Sequence, residues 1–451
     1  MPEQLLTGWG LTSPSLASVG TVASVEAVQE AVRGARGPGG RGLVARGLAR
    51  SYGDAAQNAG GSVLDMTGLA RIHSLVDGVV DVDAGVSLDT LMRFLLPAGW
   101  FVPVTPGTRY ITVGGAVAGD IHGKNHHVEG TFCRHVISLD LVDGTGELVT
   151  LTPADPRFWA TAGGMGLTGI VTRVRLRLVP VQTSKVLVDT ERVADLDTLM
   201  DRMASGDDAY RYSVAWIDSL ARGATTGRSV LTRGDHATLD DLPAPERLDP
   251  LAYAPTPRLR APHHLPGGLL NQLTVGAFNE LWFRRAPRRH RGLEAIPSFF
   301  HPLDGVLGWN RIYGPRGFVQ WQMAVPDTAA ETVRVAVQRL SQARCPSFLA
   351  VLKRFGPGND GPLSFPIPGW TLALDIPAAL QELPALLDGL DELVAESGGR
   401  VYLCKDSRLR PDLLEAMYPR LPQWREVAQQ MDPHGLFSSD LQRRLGLRFP
   451  R

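Results

Sequence analysis

The sequence predicts an α+β protein of two domains, and three observations carry that prediction. At 451 residues the chain exceeds the ~250–300 residues at which a single hydrophobic core stops growing. Short strand patterns alternate with helical ones through its first part, punctuated by glycine-rich turns. From about Gln182 onward those turns thin out and the character changes, which places a domain boundary there.

Taken in order, Ser62 to Met66 and Val79 to Asp83 are short β-branched or alternating runs bounded by Gly and Asp, and read as strands. Between Ser87 and Gly99 the pattern becomes helical. Leu88, Leu91 and Leu95 recur at helical spacing, with Ser87 as N-cap and Gly99 beyond the end. Val136 to Leu151 forms two alternating runs around a Gly-containing turn, a hairpin signal. Ile170 to Val179 alternates apolar residues and Thr172 with Arg173, Arg175 and Arg177, as a half-solvated antiparallel strand does. The stretch from Leu248 to Gly292 is rich in Pro, Arg and His, including Arg284, Arg285, Arg288, Arg289 and Arg291, and is predicted to be a long, mobile, basic excursion. Leu413 to Met417 and Trp424 to Met431 read as helices, with a turn over Asp432 to Gly435.

Composition narrows the function. Lysine plus arginine and aspartate plus glutamate both number 46, so no overall field exists to hold a nucleic-acid backbone. Cys133, Cys345 and Cys404 are widely spaced with no CxxC pair, which argues against a disulfide framework or a zinc knuckle. The first residues carry no basic segment followed by an apolar one, so the expected compartment is the cytoplasm. Every apolar run is interrupted well short of the ~18 residues a membrane span needs.

Three glycine-rich segments carry the chemistry. The first, Arg46-Gly47-Leu48-Ala49-Arg50-Ser51-Tyr52-Gly53-Asp54, can turn backbone amides toward phosphate oxygens, with the Ser51 hydroxyl beside them. Alone it fits an ordinary surface turn equally well. The second runs from Pro106-Gly107-Thr108 through Thr112-Val113-Gly114-Gly115 to Gly119-Asp120-Ile121-His122. Its small residues let backbone line a large, flat ligand, and it lacks the GxGxxG fingerprint of a Rossmann fold. The third, Gly163-Gly164-Met165-Gly166, leads into the strand that starts at Ile170. His122, His126 and His127 lie close together, yet Gly123 follows His122 where a zinc helix has glutamate, so no metal is expected.

The order GLxRSYGD, VGGAVAGDIHGKNHH and FWATAGGMGLTGI resembles the FAD-binding domain of the vanillyl-alcohol-oxidase and p-cresol-methylhydroxylase (PCMH) superfamily. The wording DIHGKNHH, SFPIPGW and KDSR is similar, more narrowly, to the decaprenylphosphoryl-β-D-ribose 2'-oxidases, across nearly the whole chain. The resemblance implies a PCMH-type FAD-binding domain over residues 1–182, a substrate-binding domain on an antiparallel sheet over 183–399, and a segment, 400–451, returning to the first domain. It places FAD against Ala45 to Ala55, Gly107, Thr112 to Gly115, Gly119 to His122, Ile170 and Tyr402. Many relatives bind FAD covalently through a histidine where this chain has Arg50, so a noncovalent flavin is expected.

The same resemblance makes Lys405 and His122 the candidate catalytic pair and puts Trp216, Phe300, His301, Gln320, Gln322, Lys353, Phe365 and Lys405 on the substrate side. Gln320 and Gln322 alternate, so both face one side of a strand. Thr371 and Ala373 replace an asparagine and a cysteine of relatives, so the implied reaction does not depend on that thiol. The implied reaction is oxidation of the ribose 2'-hydroxyl of decaprenylphosphoryl-β-D-ribose to the 2'-keto sugar, the first half of an epimerisation to the arabinose donor of cell-wall arabinan. A keto-reductase epimerase subunit and peripheral membrane contact follow as expected partners, and the periplasmic face of the envelope is the family-based alternative location. The competing readings are a sugar-lactone or alditol oxidase of the same superfamily, and a noncatalytic protein meeting anionic lipid through the basic excursion.

Overall fold

A computed structural model describes residues 1–35 and 40–448. Three sheets organise them. The first contains Glu3–Leu6 (β1), Ser15–Thr21 (β2), Leu43–Arg46 (β3) and Ser62–Asp65 (β4) in the order β1-β2-β4-β3, with β2 and β3 both parallel to β4. A helix, Val25–Gly34 (α1), makes the crossover. Its start is fixed by the Ser24 hydroxyl, which accepts from the Ala27 N–H at 3.2 Å, and it buries Val28 and Val32 with Leu43 and Leu64.

The second sheet is antiparallel: Ile72–Val76 (β5), Val79–Asp83 (β6), Val136–Val142 (β7), Leu148–Leu151 (β8) and Ile170–Arg177 (β9), in the order β5-β6-β9-β7-β8. The alternation in β9 sorts its faces as the sequence predicts, Val174 and Leu176 buried, Arg175 and Arg177 exposed. Helix Leu88–Leu95 (α2) begins at Ser87, whose hydroxyl accepts from the Thr90 N–H, and the chain leaves it through Gly99 at φ +79°. The short helix Val113–Ala118 (α3) is capped by Thr112, whose hydroxyl accepts from Gly115 at 3.1 Å. Pro156–Thr161 (α4) precedes the third glycine segment.

The third sheet has eight strands: Lys185–Val193 (β10), Tyr212–Ile217 (β11), Ser229–His236 (β12), Arg289–Ala295 (β13), Phe318–Pro326 (β14), Ala350–Phe355 (β15), Gly369–Pro377 (β16) and Arg400–Val401 (β17). Their order is β13-β10-β12-β11-β15-β16-β14-β17, antiparallel throughout. One face carries Val319, Trp321, Met323, Leu352, Leu372 and Leu374 into the largest core, beneath helices Leu196–Gly206 (α5), Ala330–Gln342 (α7) and Leu383–Glu396 (α8).

Between these elements the structure corrects one expectation. The stretch from Leu248 to Gly292 is not a mobile excursion, because it contains the 14-residue helix Gln272–Arg285 (α6) and most of the edge strand β13. Asn271 and Thr274 form a reciprocal cap at the start of α6. The arginines of β13 are tolerated because the strand lies at the sheet edge, where their side chains reach solvent.

The chain closes with helices Pro411–Met417 (α9), Leu421–Met431 (α10) and Asp440–Leu445 (α11). Trp424 is fully buried and its indole N–H donates to the Ala160 carbonyl at 2.9 Å, while Arg444 reaches back to Asp54. Among the described residues no helix is long and apolar enough to cross a membrane.

Candidate active site

The three glycine segments meet in space. A Cβ on Gly47 would stand 2.3 Å from the Thr112 hydroxyl, and one on Gly53 would stand 2.0 Å from the Asp406 carbonyl, so only glycine allows these approaches. The third segment joins α3 through Gly163 and Met165, whose N–H groups donate to the carbonyls of Val117 and Ala118, both at 3.0 Å. Tyr402 donates its hydroxyl to the Gly119 carbonyl and ties the chain after β17 to the same place.

Within the first segment, the carbonyls of Ser51 and Tyr52 accept from Trp9 and Gly10 at 2.8 and 3.0 Å. Ala49 has φ +56°. Among the described residues, the N–H groups of Leu48, Ala49, Arg50 and Ser51 donate to nothing within the chain. A run of unspent amides around a left-handed residue is an anion nest, and suits a pyrophosphate. A Cβ on Gly107 would meet nothing within 4 Å, which leaves that backbone open to a flat ligand. These features fit FAD. Arg50 lies over the Trp9 ring at 4.0 Å and donates to the Leu48 carbonyl.

Opposite the loops stands the second face of the large sheet. Strand register puts Gln322, Ala373, Val351 and Trp216 in one row, Ala324, Thr371 and Lys353 in the next, and pairs Gln320 with Asp375. Alternation therefore projects Gln320, Gln322, Lys353 and Asp375 from a single face. His122, on the loop after α3, reaches this face: its Nε2 lies 2.9 Å from Gln322 Nε2. Its ring centroid is 5.0 Å from those of Phe355 and Tyr402 and 5.5 Å from Phe365, which stacks on Tyr402 at 4.6 Å.

The hydrogen bonds favour one tautomer of the histidine. Thr371 donates its hydroxyl to the Met323 carbonyl at 2.7 Å, so it accepts from Gln322 Nε2 at 2.9 Å. The amide's other hydrogen goes to His122 Nε2, leaving the imidazole proton on Nδ1. That Nδ1 is buried without a partner, as are Gln322 Oε1, Gln320 Oε1 and Asp375 Oδ2. Each such atom costs about 1–3 kcal/mol of desolvation unless something else bonds to it. Hydroxyl groups carry the donors and acceptors that these atoms lack.

Burial also sets the charges. It drives His122 well below its usual range, with Lys353 and Lys405 adding to the effect, so the ring is neutral at neutral pH. Lys353 falls to about 7, from burial first and then the neighbouring Lys405 and Lys124. Burial lowers Lys405 and raises Asp375, and each partly restores the other. The Lys405 ammonium lies 5.7 Å from the Tyr52 ring centroid. The result is a neutral imidazole, an amine poised to exchange a proton and a carboxyl beside it, in a site floored by amides.

Not every expected residue gathers here. Phe300 is enclosed by Phe101, Tyr212 and Phe299, at ring separations of 4.8–5.4 Å, and is packed as core. His301 hydrogen-bonds Thr105 at 2.8 Å, beside the Gly107 loop. Trp216 shares the sheet face of Gln322 and donates its indole N–H to the Phe348 carbonyl at 2.9 Å. Ile170 is wholly buried next to Leu43 and Leu64. The Asp120 carboxylate is spent on the Cys133 N–H and on Asn359. Sequence reasoning missed Asp375, Phe355 and Asp304. The first two were readable, since Asp375 continues the alternation of Thr371 and Ala373, and Phe355 that of Lys353. A surface hollow lined by Arg222, Thr226, Gln338 and Ser341 belongs to the α7 side of the sheet, and Arg222 there is spent on the carbonyls of Ser341 and Gln342.

Residues 17–152 match the family described as FAD binding domain. The chain is 46% identical over 450 residues to decaprenylphosphoryl-β-D-ribose oxidase of Mycolicibacterium smegmatis, covering 98% of this chain and 97% of that protein. It is 24% identical over 393 residues to L-gulono-1,4-lactone dehydrogenase of Mycobacterium tuberculosis, covering 85% and 86%. To cytokinin dehydrogenase 4 of Arabidopsis thaliana it is 32% identical over 145 residues, 30% of this chain and 28% of that one.

Proposed function

The chain belongs to the decaprenylphosphoryl-β-D-ribose oxidase family of FAD-dependent oxidoreductases, and from that premise we propose that it oxidises the ribose 2'-hydroxyl of decaprenylphosphoryl-β-D-ribose to the 2'-ketone. The observation that carries this reading is the set of unpartnered buried atoms, Gln320 Oε1, Gln322 Oε1 and Asp375 Oδ2 on one face of the large sheet and His122 Nδ1 on the loop that reaches it. A polyhydroxylated sugar supplies the complementary donors and acceptors.

FAD would be held by residues 45–55, with the unspent amides of Leu48 to Ser51 on its phosphates, and by Gly107, Thr112 to Gly115, Gly119 to His122 and Tyr402. When bound, it accepts the hydride that leaves the sugar carbon. The protein's part is the proton. Lys405, made less basic by burial, takes the hydroxyl proton as the C–O bond becomes a carbonyl. His122 is the donor of the pair, because Gln322 occupies its Nε2 and its one proton sits on Nδ1. The carbonyls of Gln320 and Gln322 accept from the sugar hydroxyls. Lys353, whose pKa burial lowers to about 7, takes up a proton as the anionic end of the substrate approaches.

Arg50 stands where a covalent link would need histidine, and the flavin is held without a bond. After acid precipitation the colour stays in the supernatant; a yellow pellet contradicts this. A keto product becomes an epimer only if a second enzyme returns hydride to the other face, so a keto-reductase is the functional partner. A polyprenyl substrate lies in a bilayer, and the chain meets it peripherally. The roles of Lys405 and His122 are tested by rapid-mixing measurements of flavin reduction. Lys405→Ala loses about 10²–10⁴-fold in rate, His122→Ala loses less, and full rates in both variants refute the assignment.

A further inference from the structure

Helix α6 is built inside out for a protein in water. The residues it turns inward include Val275 and Asn279, and Asn279 is anchored by a hydrogen bond from its amide to Asp218 at 2.7 Å. Its outer half carries Leu273, Phe278, Leu281 and Trp282, exposed by 84%, 40%, 67% and 46%. At 100° per residue these side chains spread over one contiguous half of the helix. An apolar face of this kind, held outward by a polar anchor, marks an interaction surface.

Its surroundings define the partner. Residues 251–293 contain seven arginines against one acidic residue, Glu280, in a chain whose formal net charge is +0. Glu280 is already neutralised by Arg228 and Arg284. Arg285, Arg288 and Arg289 are exposed and form no ion pair among the described residues. Apolar side chains flanked by unpaired arginines match the boundary between acyl chains and anionic headgroups.

The position also connects to the site. Phe278 meets Phe348 at 5.8 Å between ring centroids, and the Phe348 carbonyl accepts from Trp216 on the sheet face of Gln322.

We propose that the outer face of α6, with the arginines that follow it, docks the protein on the surface of an anionic bilayer, Leu281 and Trp282 entering the acyl boundary. This deepens the oxidase reading, because a polyprenyl substrate would be drawn from that bilayer, but the surface acts without turnover.

The experiment is flotation of the full-length, FAD-loaded protein with large unilamellar vesicles of phosphatidylglycerol and phosphatidylcholine, or of phosphatidylcholine alone. The protein floats with the anionic vesicles, and added salt weakens the binding. An Arg285→Gln/Arg288→Gln/Arg289→Gln variant binds roughly a hundredfold less, at about fivefold per arginine. A Leu281→Ser/Trp282→Ser variant loses binding at low salt as well. Because all five positions are on the outside, each variant keeps its flavin absorbance, which confirms folding. Three results overturn the proposal: no flotation of the wild type with either vesicle, equal flotation of wild type and both variants, or a solution dimer that Leu281→Ser/Trp282→Ser abolishes, which would assign the face to a second copy. Reduction of the flavin by a water-soluble, short-chain phosphoribose is measured on the same samples. Its presence without flotation refutes only the docking surface, and its absence refutes the oxidase reading.

Discussion

At single residues, the chemistry depends on how burial moves protons. As the proposed base, Lys405 must be neutral to accept one, so flavin reduction is expected to rise with pH through its midpoint, which burial places below the ordinary lysine range. The Asp375 carboxylate opposes that shift, and Asp375→Asn removes the opposition. The rising limb of the pH–rate profile then moves to lower pH; a limb that stays or moves upward contradicts the pairing. Lys353 gives a stability test. Its pKa is about 7 folded against the usual 10.5, so between those values the unfolded chain binds more protons and stability climbs with pH. Lys353→Met is therefore more stable than the wild type below pH 7, and the difference shrinks as pH rises, as denaturant unfolding across that range will show. Much of this chemistry was legible only in part. Gln320 and Gln322 could be placed on one face from their spacing, but that His122 would be neutral depends first on its burial, to which Lys353 and Lys405, remote from it in sequence, add.

At the scale of elements, the loops are held by contacts from elsewhere in the chain. Asp304 accepts from the Arg109 N–H at 2.8 Å and the Thr108 hydroxyl at 2.7 Å, clamping the loop that contains Gly107. Arg109 is only 2% exposed and lies between Asp304 and Asp89. Asp304→Ala leaves a buried cation half-compensated, at a cost of about 3 kcal/mol. It loosens the Gly107 loop, so the variant sheds flavin on dilution when the wild type does not; full retention of flavin would argue against the clamp. Elements with local signals were readable. Helix α2 announces itself by Ser87 and Gly99, and β9 by its alternation. Helix α6 was not, because its outward apolar face and the Pro and Arg around it erase the usual periodicity, although the Asn271 and Thr274 cap was present in the sequence.

Over the whole molecule, the glycine segments point to a nucleotide by composition alone, since runs of small residues mark close backbone approach. Which parts of the chain approach them is hidden at that level. Arg444 donates to both oxygens of Asp54 at 2.9 Å and to Asp406, fastening the last helix to the first glycine loop and to the turn that carries Lys405. These partners lie up to 390 positions apart, and no local pattern could pair them. Arg444→Ala should destabilise the fold by about 3 kcal/mol and release FAD, read as a lower unfolding temperature with loss of bound flavin. The proposed activity of this assembly is oxidation of a lipid-linked ribose. Its most direct test is anaerobic mixing of the flavin-loaded protein with decaprenylphosphoryl-β-D-ribose, L-gulono-1,4-lactone or a free alditol, following the oxidised flavin band. The expected result is rapid bleaching by the phosphoribose and none by the free lactone or polyol; bleaching by the lactone or alditol, with none by the phosphoribose, would overturn the oxidase reading.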